Sequence, residues 1–208
     1  MKNVLFTLLV FQILLTVAFT GCKNYTQEEK LYIDKIEKDR LAKDEEMKNS
    51  PQSPFNLEPK VQFHPLKYFD ADPGFVFKSK LTEYNPKDSI VIYGTKGEPR
   101  SVVRFGYLKF SKDGKHLRMN VYEGTSRSGE RYHSLWFTDL TTNKESYGVG
   151  RYIDFEVVPD SGYVYTIDFN KAYNPYCSYS PRYSCAIPSK EDFLDLEITA
   201  GEKKFHED

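Results

Sequence analysis

The most constraining feature of this sequence is a two-residue alternation of apolar and polar side chains that begins at Phe75. It continues to Leu81 and returns in further short segments as far as Thr199. Alternation with a period of two places successive side chains on opposite faces of a β-strand. The segment from Phe75 onward therefore predicts a chain of strands rather than helices.

Two turn signals predict how some of these strands connect. Lys112-Asp113-Gly114-Lys115 separates two alternating segments, and an Asp-Gly pair in that position is typical of a tight β-hairpin. Pro159-Asp160-Ser161-Gly162 separates residues 151–158 from residues 163–169. We expect these last two segments to pair with each other through that turn.

The predicted strands follow one another without intervening helical segments, which indicates antiparallel connections. We predict a mainly β fold, a single antiparallel meander of about eight strands that forms a barrel or a two-sheet sandwich. One α-helix is expected before it, at residues 26–48. Thr26 and Glu29 have the spacing of a capping box, and Asn49-Ser50-Pro51 ends the helical pattern. Residues 26–208 are expected to form one domain.

The first residues of the chain have the character of an export signal. Lys2 is followed by an almost wholly apolar run over residues 4–19, which is typical of a secretory signal peptide. Phe19-Thr20-Gly21-Cys22 then resembles a bacterial lipobox, in which the cysteine is acylated and the chain is cut before it. We predict a signal peptide at residues 1–21 and a lipidated tether at residues 22–25. The protein would then be exported and anchored to a membrane of the bacterial cell envelope through Cys22.

Charge and cysteine content narrow the classes of partner. The formal net charge is −1 and no basic stripe is present, which argues against nucleic acid. If Cys22 is acylated, two of the three cysteines, Cys177 and Cys185, are left with free thiols. An oxidising compartment favours a disulfide between them. Reactive thiols or a shared metal are the alternatives. No metal site is predicted, because the spacing of the two cysteines is not that of a zinc knuckle.

Two stretches carry a resemblance to a known family. The first runs from Trp136 to Asp154, and the second from Ile167 through Cys185 to Lys203. They closely resemble the uncharacterised family known as domain of unknown function 1684. The shared motifs are D-x-T, Y-G-x-G-R-Y-x-D, D-F-N-x-A-Y-N-P-x-C, C-x-x-P and A-G-E-K, which here begin at Asp139, Tyr147, Asp168, Cys185 and Ala200. The resemblance brings no established activity with it.

Polar residues in these stretches are the candidate ligand-binding residues: Arg151, Asp154, Asp168, Asn170, Tyr173 and Asn174. If residues 151–158 and 163–169 pair, the arginine, carboxylates and amides would converge at one end of the hairpin. Such a group suits a small anion or a sugar. The alternative is a buried network in which the same side chains satisfy turns, with Arg151 paired to Asp154 or Asp168.

Three functions fit this sequence. The first is a non-catalytic lipoprotein that binds a small or glycan-like ligand, aided by tyrosines near the cysteines, Tyr173, Tyr176, Tyr179 and Tyr183. The second is a hydrolase-type enzyme with a pocket at Arg151, Asp154, Asp168 and Asn170, although no known catalytic motif is present. The third is a β-barrel that binds a cofactor such as flavin. No cofactor is predicted from the residues themselves.

Overall fold

The computed structural model describes residues 24–126 and 128–206. The predicted signal peptide and Cys22 lie outside the described residues. Among those described, no helix is both long enough and apolar enough to cross a membrane.

The N-terminal helix α1 spans Gln27–Asn49 and confirms the sequence prediction. Thr26 caps it in a reciprocal capping box with Glu29, as the spacing of these residues indicated. Several of its side chains bind the rest of the protein. The Tyr32 hydroxyl donates to Asp168, the Arg40 guanidinium lies over the ring of Tyr68, and Lys43 pairs with Glu202.

In the described part of the chain, eight strands follow the helix, and the fold is mainly β. They are β1 (Val76–Lys80), β2 (Thr82–Tyr93), β3 (Pro99–Lys112), β4 (Lys115–Thr125), β5 (Arg131–Asp139), β6 (Arg151–Phe155), β7 (Val164–Asp168) and β8 (Phe193–Leu194). Strands β2 to β6 form an antiparallel meander in sequence order, and β8 adds to β5 in parallel. This sheet curls into a half-barrel. The meander prediction is confirmed.

The β3–β4 hairpin forms as the Asp-Gly signal predicted. Lys112 pairs with Lys115 across the turn. Asp113 and Gly114 have φ values of 51° and 75°, both in the left-handed region that a two-residue hairpin turn requires.

The predicted pairing of residues 151–158 with residues 163–169 is wrong. Strand β6 pairs with β5, and β7 pairs instead with β1 in a separate two-stranded sheet. The turn at residues 159–162 carries the chain from one sheet to the other, so Arg151 and Asn170 are not at the same end of a hairpin.

The two faces of the large sheet are covered differently. Its inner face packs against the β1–β7 pair and the C-terminal segment, and forms the main core with side chains such as Phe110, Phe137, Ile167, Phe169 and Ile198. On the outer face, Trp136 and Tyr122 form a smaller apolar cluster with Ala186 of the cysteine-containing loop. That loop, residues 173–188, therefore roofs part of the outer face.

Candidate functional site

Arg151 lies in the interior of the protein, where the sequence analysis had considered a ligand contact. It is 0% exposed, and one of its terminal nitrogens donates to the Asp139 carboxylate at 2.8 Å and to the Ile198 carbonyl at 2.9 Å. Its other terminal nitrogen donates to the carbonyl oxygen of Ala200. Burial lowers the pKa of Arg151, and the charge of Asp139 opposes that shift. The side chain thus ties the C-terminal segment to the sheet. Its acidic partner is Asp139, not Asp154 or Asp168.

Asp168 and Asn170 connect three segments of the fold. One carboxylate oxygen of Asp168 accepts from the Tyr32 hydroxyl at 2.7 Å and from the backbone N–H of Asn170 at 3.0 Å. The Asn170 amide exchanges two hydrogen bonds of 2.8 Å with the backbone of Asp72. These contacts fix the turn after β7 to the helix and to the chain before β1.

Asn174 belongs to a third buried network, centred on Glu202. The carboxylate of Glu202 is 1% exposed and accepts from the Asn174 backbone N–H at 2.8 Å, from Lys43 at 2.6 Å and from the Tyr179 hydroxyl. The side-chain amide of Asn174 donates to the carbonyl of Lys203 at 2.7 Å. Buried polar groups with this many partners hold a structure together. Tyr179 faces this interior cluster and does not reach the outer face.

The remaining two candidates, Asp154 and Tyr173, line an open cleft of about 950 Å³ on the outer face of the sheet. Its floor comes from β5 and β6, where Ser134 is directly opposite Asp154 and Trp136 is opposite Tyr152. Cross-strand partners point to the same face, so these four side chains form one continuous surface. The wall opposite the floor comes from the loop and includes Tyr173, Tyr176, Tyr183 and Cys185. Arg151, Asp168, Asn170 and Asn174 do not line this cleft.

Most of the apolar residues that line the cleft are aromatic. Trp136 stacks on Tyr122 with ring centres 4.5 Å apart, and Tyr152 lies 5.8 Å from Trp136 on its other side. Tyr176 and Tyr183 meet edge to face at 5.1 Å across the loop. Because Trp136 is held between neighbours in a rigid sheet, the floor is preformed.

Two polar groups stand among these rings. Ser134 is only 5% exposed, and its hydroxyl has no hydrogen-bond partner among the described residues. Asp154 accepts a 2.6 Å hydrogen bond from the Tyr173 hydroxyl. Burial, and then this bond to Asp154, raise the pKa of Tyr173, so its hydroxyl stays protonated and remains a donor. The floor therefore offers a buried hydroxyl beside a carboxylate.

Cationic and imidazole side chains lie near the rim of the cleft. Arg100 is held by the carbonyl of Ser184 at 2.7 Å and by the carboxylate of Glu98, so its position is fixed by the loop. His133 Nε2 lies 3.3 Å from a carboxylate oxygen of Glu123. Burial lowers the pKa of His133, although the Glu123 carboxylate acts in the opposite direction. The imidazole is therefore neutral near pH 7.

The predicted disulfide is absent: Cys177 and Cys185 are both free thiols in the structure. They are nevertheless neighbours, because the backbone N–H of Cys177 donates to the sulfur of Cys185 at 3.2 Å. A hydrogen bond from the Cys185 thiol lowers the pKa of Cys177 to about 7, while the same interaction and burial raise that of Cys185. Cys177 therefore loses its proton at a lower pH than Cys185, and it is the more nucleophilic thiol of the pair.

Alkylation by iodoacetamide should show this asymmetry. In the Cys185→Ala protein we expect the labelling of Cys177 to require a higher pH than in the wild type, because alanine cannot donate a hydrogen bond to the Cys177 sulfur. The wild type should label at Cys177 with a half-maximal rate near pH 7. Mass spectrometry of peptides labelled from pH 5.5 to 9.5 measures both profiles. Equal profiles for the two cysteines would contradict the difference in their pKa values.

No group of three or more histidine, cysteine or acidic side chains suitable for a metal ion occurs in residues 24–126 and 128–206. The Cys177 and Cys185 thiols have no third such ligand there.

Comparison with known proteins agrees with the sequence motifs. Residues 61–203 match the model of the family described as "Protein of unknown function (DUF1684)". The chain belongs to this family. No curated protein matches the chain. A solution NMR structure of an uncharacterized protein from Haloarcula marismortui is similar, with 29% identity and a TM-score of 0.62 over 85% of this chain and 96% of that one.

Within this DUF1684 chain, the motif residues divide between the interior and the cleft. Asp139, Arg151, Asp168, Asn170 and Glu202 hold elements together, whereas Tyr152, Asp154, Tyr173 and Cys185 face the cleft. No sequence pattern marked Ser134, Trp136 or Tyr152 as a candidate site residue. What links them to the cleft is their position on strands, on the face opposite the core. Ser134 pairs with Asp154, and Trp136 pairs with Tyr152.

Proposed function

We propose that this protein is a non-catalytic binding protein that holds a small ligand in the cleft between β5, β6 and the loop of residues 173–188. We further propose that it is exported and held at a membrane by acyl chains on Cys22. The proposal keeps the first of the three functions that fit the sequence, and moves its site from the predicted polar group to the aromatic cleft.

The observation that carries the proposal is the unpartnered hydroxyl of Ser134. A buried polar group without a hydrogen bond costs about 1–3 kcal/mol, so native proteins seldom keep one unless something else satisfies it. Ser134 lies on the floor of an open cleft, between Tyr122 on β4 and Asp154 on β6. A ligand with a polar edge and a flat apolar face would satisfy the hydroxyl and cover the surrounding rings.

The same geometry favours binding over hydrolysis. Of the four residues proposed for a hydrolase pocket, only Asp154 reaches the cleft, and it accepts a hydrogen bond from Tyr173. Arg151, Asp168 and Asn170 have partners inside the fold. The carboxylate of Asp154 is therefore placed to orient a ligand.

Trp136, the single tryptophan of the chain, reports on this cleft directly. We expect saturable changes in its fluorescence with one or more members of a panel of monosaccharides, nucleosides, aromatic carboxylates and flavin mononucleotide. Ser134→Ala should weaken that binding about tenfold, because one buried hydrogen bond to the ligand is lost. Thermal unfolding in the presence of the same compounds gives a second readout.

Ser178→Ala is the matched control. Ser178 is as buried as Ser134, at 4% against 5% exposure, but it lines a different cavity of about 230 Å³. The Ser178→Ala protein should bind the compounds of the panel with the same affinities as the wild type. An unresponsive Trp136 with every compound, or equal affinities for the Ser134→Ala protein and the wild type, would overturn the proposal.

Anchoring through Cys22 makes a separate prediction. Several acyl chains on one residue bind a membrane stably, because each buried methylene contributes about 0.8 kcal/mol. In bacteria grown with an alkyne-tagged fatty acid, the wild type should carry the tag and sediment with membranes, and Cys22→Ala should do neither. Tagging of the Cys22→Ala protein would show that the lipid is elsewhere.

A further inference from the structure

A second cavity adjoins the cleft on the side of helix α1. Its volume is about 530 Å³, and three residues line both spaces: Asp154, Tyr173 and Tyr176. The hydrogen bond between Asp154 and Tyr173 thus lies at the division between the two cavities, and Tyr176 is 41% exposed there. A ligand longer than one ring can pass over this divide and contact both.

The two cavities differ in chemistry. The cleft is lined by a tryptophan and several tyrosines, whereas α1 gives the second cavity Asp39, Ala42, Lys43, Glu46 and Met47. These positions recur at the three- and four-residue spacing of one helix face. Lys171 and Gln52 add polar groups from other segments. An occupant that extends from one cavity to the other must carry polar groups along its length.

At the divide, an occupant would need hydrogen-bond donors beside flat apolar faces. A carboxylate has about four acceptor positions, and the structure shows Asp154 using one oxygen for Tyr173. Hydroxyl groups of an occupant can fill the others. Tyr173 and Tyr176 line both cavities, and Lys43 lies over the Tyr173 ring at 4.9 Å. Aromatic rings beside polar groups suit the apolar faces and hydroxyl groups of consecutive sugar rings.

A peptide bound as an added strand is disfavoured here. Such binding needs unpaired backbone groups at a sheet edge. At the cleft, the N–H and carbonyl groups of Tyr152 on β6 are already bonded to those of Tyr173, each at 2.9 Å. The backbone of Tyr152 at this edge is therefore not available to a further strand.

We propose that the occupant is a linear oligosaccharide of two or more rings, which begins in the cleft and crosses Asp154 and Tyr173 into the cavity beneath α1. This inference rests on the proposed binding function and names its ligand class. It requires that affinity increase with chain length, because each cavity contributes contacts to a different ring.

The test compares β-linked oligomers of N-acetylglucosamine and of glucose, from one to four rings, by Trp136 fluorescence and calorimetry. For one of the two series we expect about tenfold tighter binding by three rings than by one ring, which is the effect of a modest set of added contacts. Ala42→Phe fills the second cavity and should abolish that increase while leaving the affinity for one ring unchanged. Leu41→Phe, at a neighbouring helix position that is 67% exposed and outside the cavity, should keep the increase.

The outcomes separate this inference from the binding function. Equal affinity for all chain lengths, or an increase that survives in the Ala42→Phe protein, overturns the two-cavity inference and leaves the cleft as a site for a single ring. Binding of flavin or a nucleoside without any saccharide overturns the ligand class alone. Tighter binding of an alanine or lysine tripeptide than of any saccharide overturns it in favour of a peptide. No response to any compound overturns both proposals.

Discussion

Replacement of Arg151 by methionine is expected to lower the free energy of unfolding by about 3–5 kcal/mol, the usual cost of removing one partner from a buried ion pair. The substitution would leave the Asp139 carboxylate, 3% exposed as a residue, without its cationic partner. It would also remove the donors to the carbonyl groups of Ile198 and Ala200. Urea denaturation followed by circular dichroism measures the change.

The double variant Arg151→Met/Asp139→Asn is the control. It removes both charges but keeps the side-chain oxygen that accepts from Thr141, so it should recover part of the lost stability, although the carbonyl groups of the C-terminal segment remain unpaired. If Arg151→Met instead leaves stability unchanged and weakens ligand binding, then Arg151 belongs to the binding site, as the sequence analysis had predicted.

The second large effect is expected at Gly201. Its φ is +78°, and a Cβ there would lie 2.6 Å from the carbonyl oxygens of both Phe169 and Ala172. Gly201→Ala should therefore combine the cost of a left-handed alanine with a collision against fixed backbone, about 2–5 kcal/mol in total. The same loss should appear in denaturant and in thermal unfolding.

Gly97→Ala separates the two contributions. Gly97 has a similar φ of +82°, but no atom lies within 4 Å of the position that its Cβ would take. That variant should lose only about 1–2 kcal/mol, the cost of the backbone conformation. Equal losses for the two variants would mean that the close approach of Gly201 to Phe169 and Ala172 is not what requires glycine.

Local signals predicted the elements that depend on local interactions. The helix begins at its capping box because Thr26 and Glu29 satisfy each other's backbone groups within one turn. The β3–β4 hairpin forms where Asp113 and Gly114 allow left-handed backbone. In both places, residues close in sequence decide the structure, so the pattern alone was sufficient.

Partner choice between distant strands could not be predicted in this way. The turn after Val158 suggested a hairpin, yet β7 pairs with β1, which lies far away in sequence. The segment around Ile198 was expected to be a strand, but only Phe193–Leu194 forms one. Ile198 is buried, and its carbonyl accepts from the Arg151 side chain. Pairing of this kind is set by how the whole core packs, which periodicity does not encode.

In the candidate site, too, some residues could be predicted from the local sequence and others depend on contacts between distant segments. Asp154 and Tyr173 were identified because they stand out as polar or aromatic residues in a family motif. Ser134 was missed, because a serine on the outer face of a strand normally meets solvent. It becomes a buried, unpartnered group only because the loop of residues 173–188 covers that face.

The most direct test of the cleft as a binding site is a nuclear magnetic resonance titration of the protein of residues 24–208, with the tightest member of the Trp136 panel. We expect the largest shifts on the Trp136 indole N–H and on the amides of Ser134, Tyr152 and Ala186, and we expect Ser134→Ala to reduce them. Shifts centred on the surroundings of Arg151 and Asp168, with the Trp136 signal unmoved, would contradict this expectation.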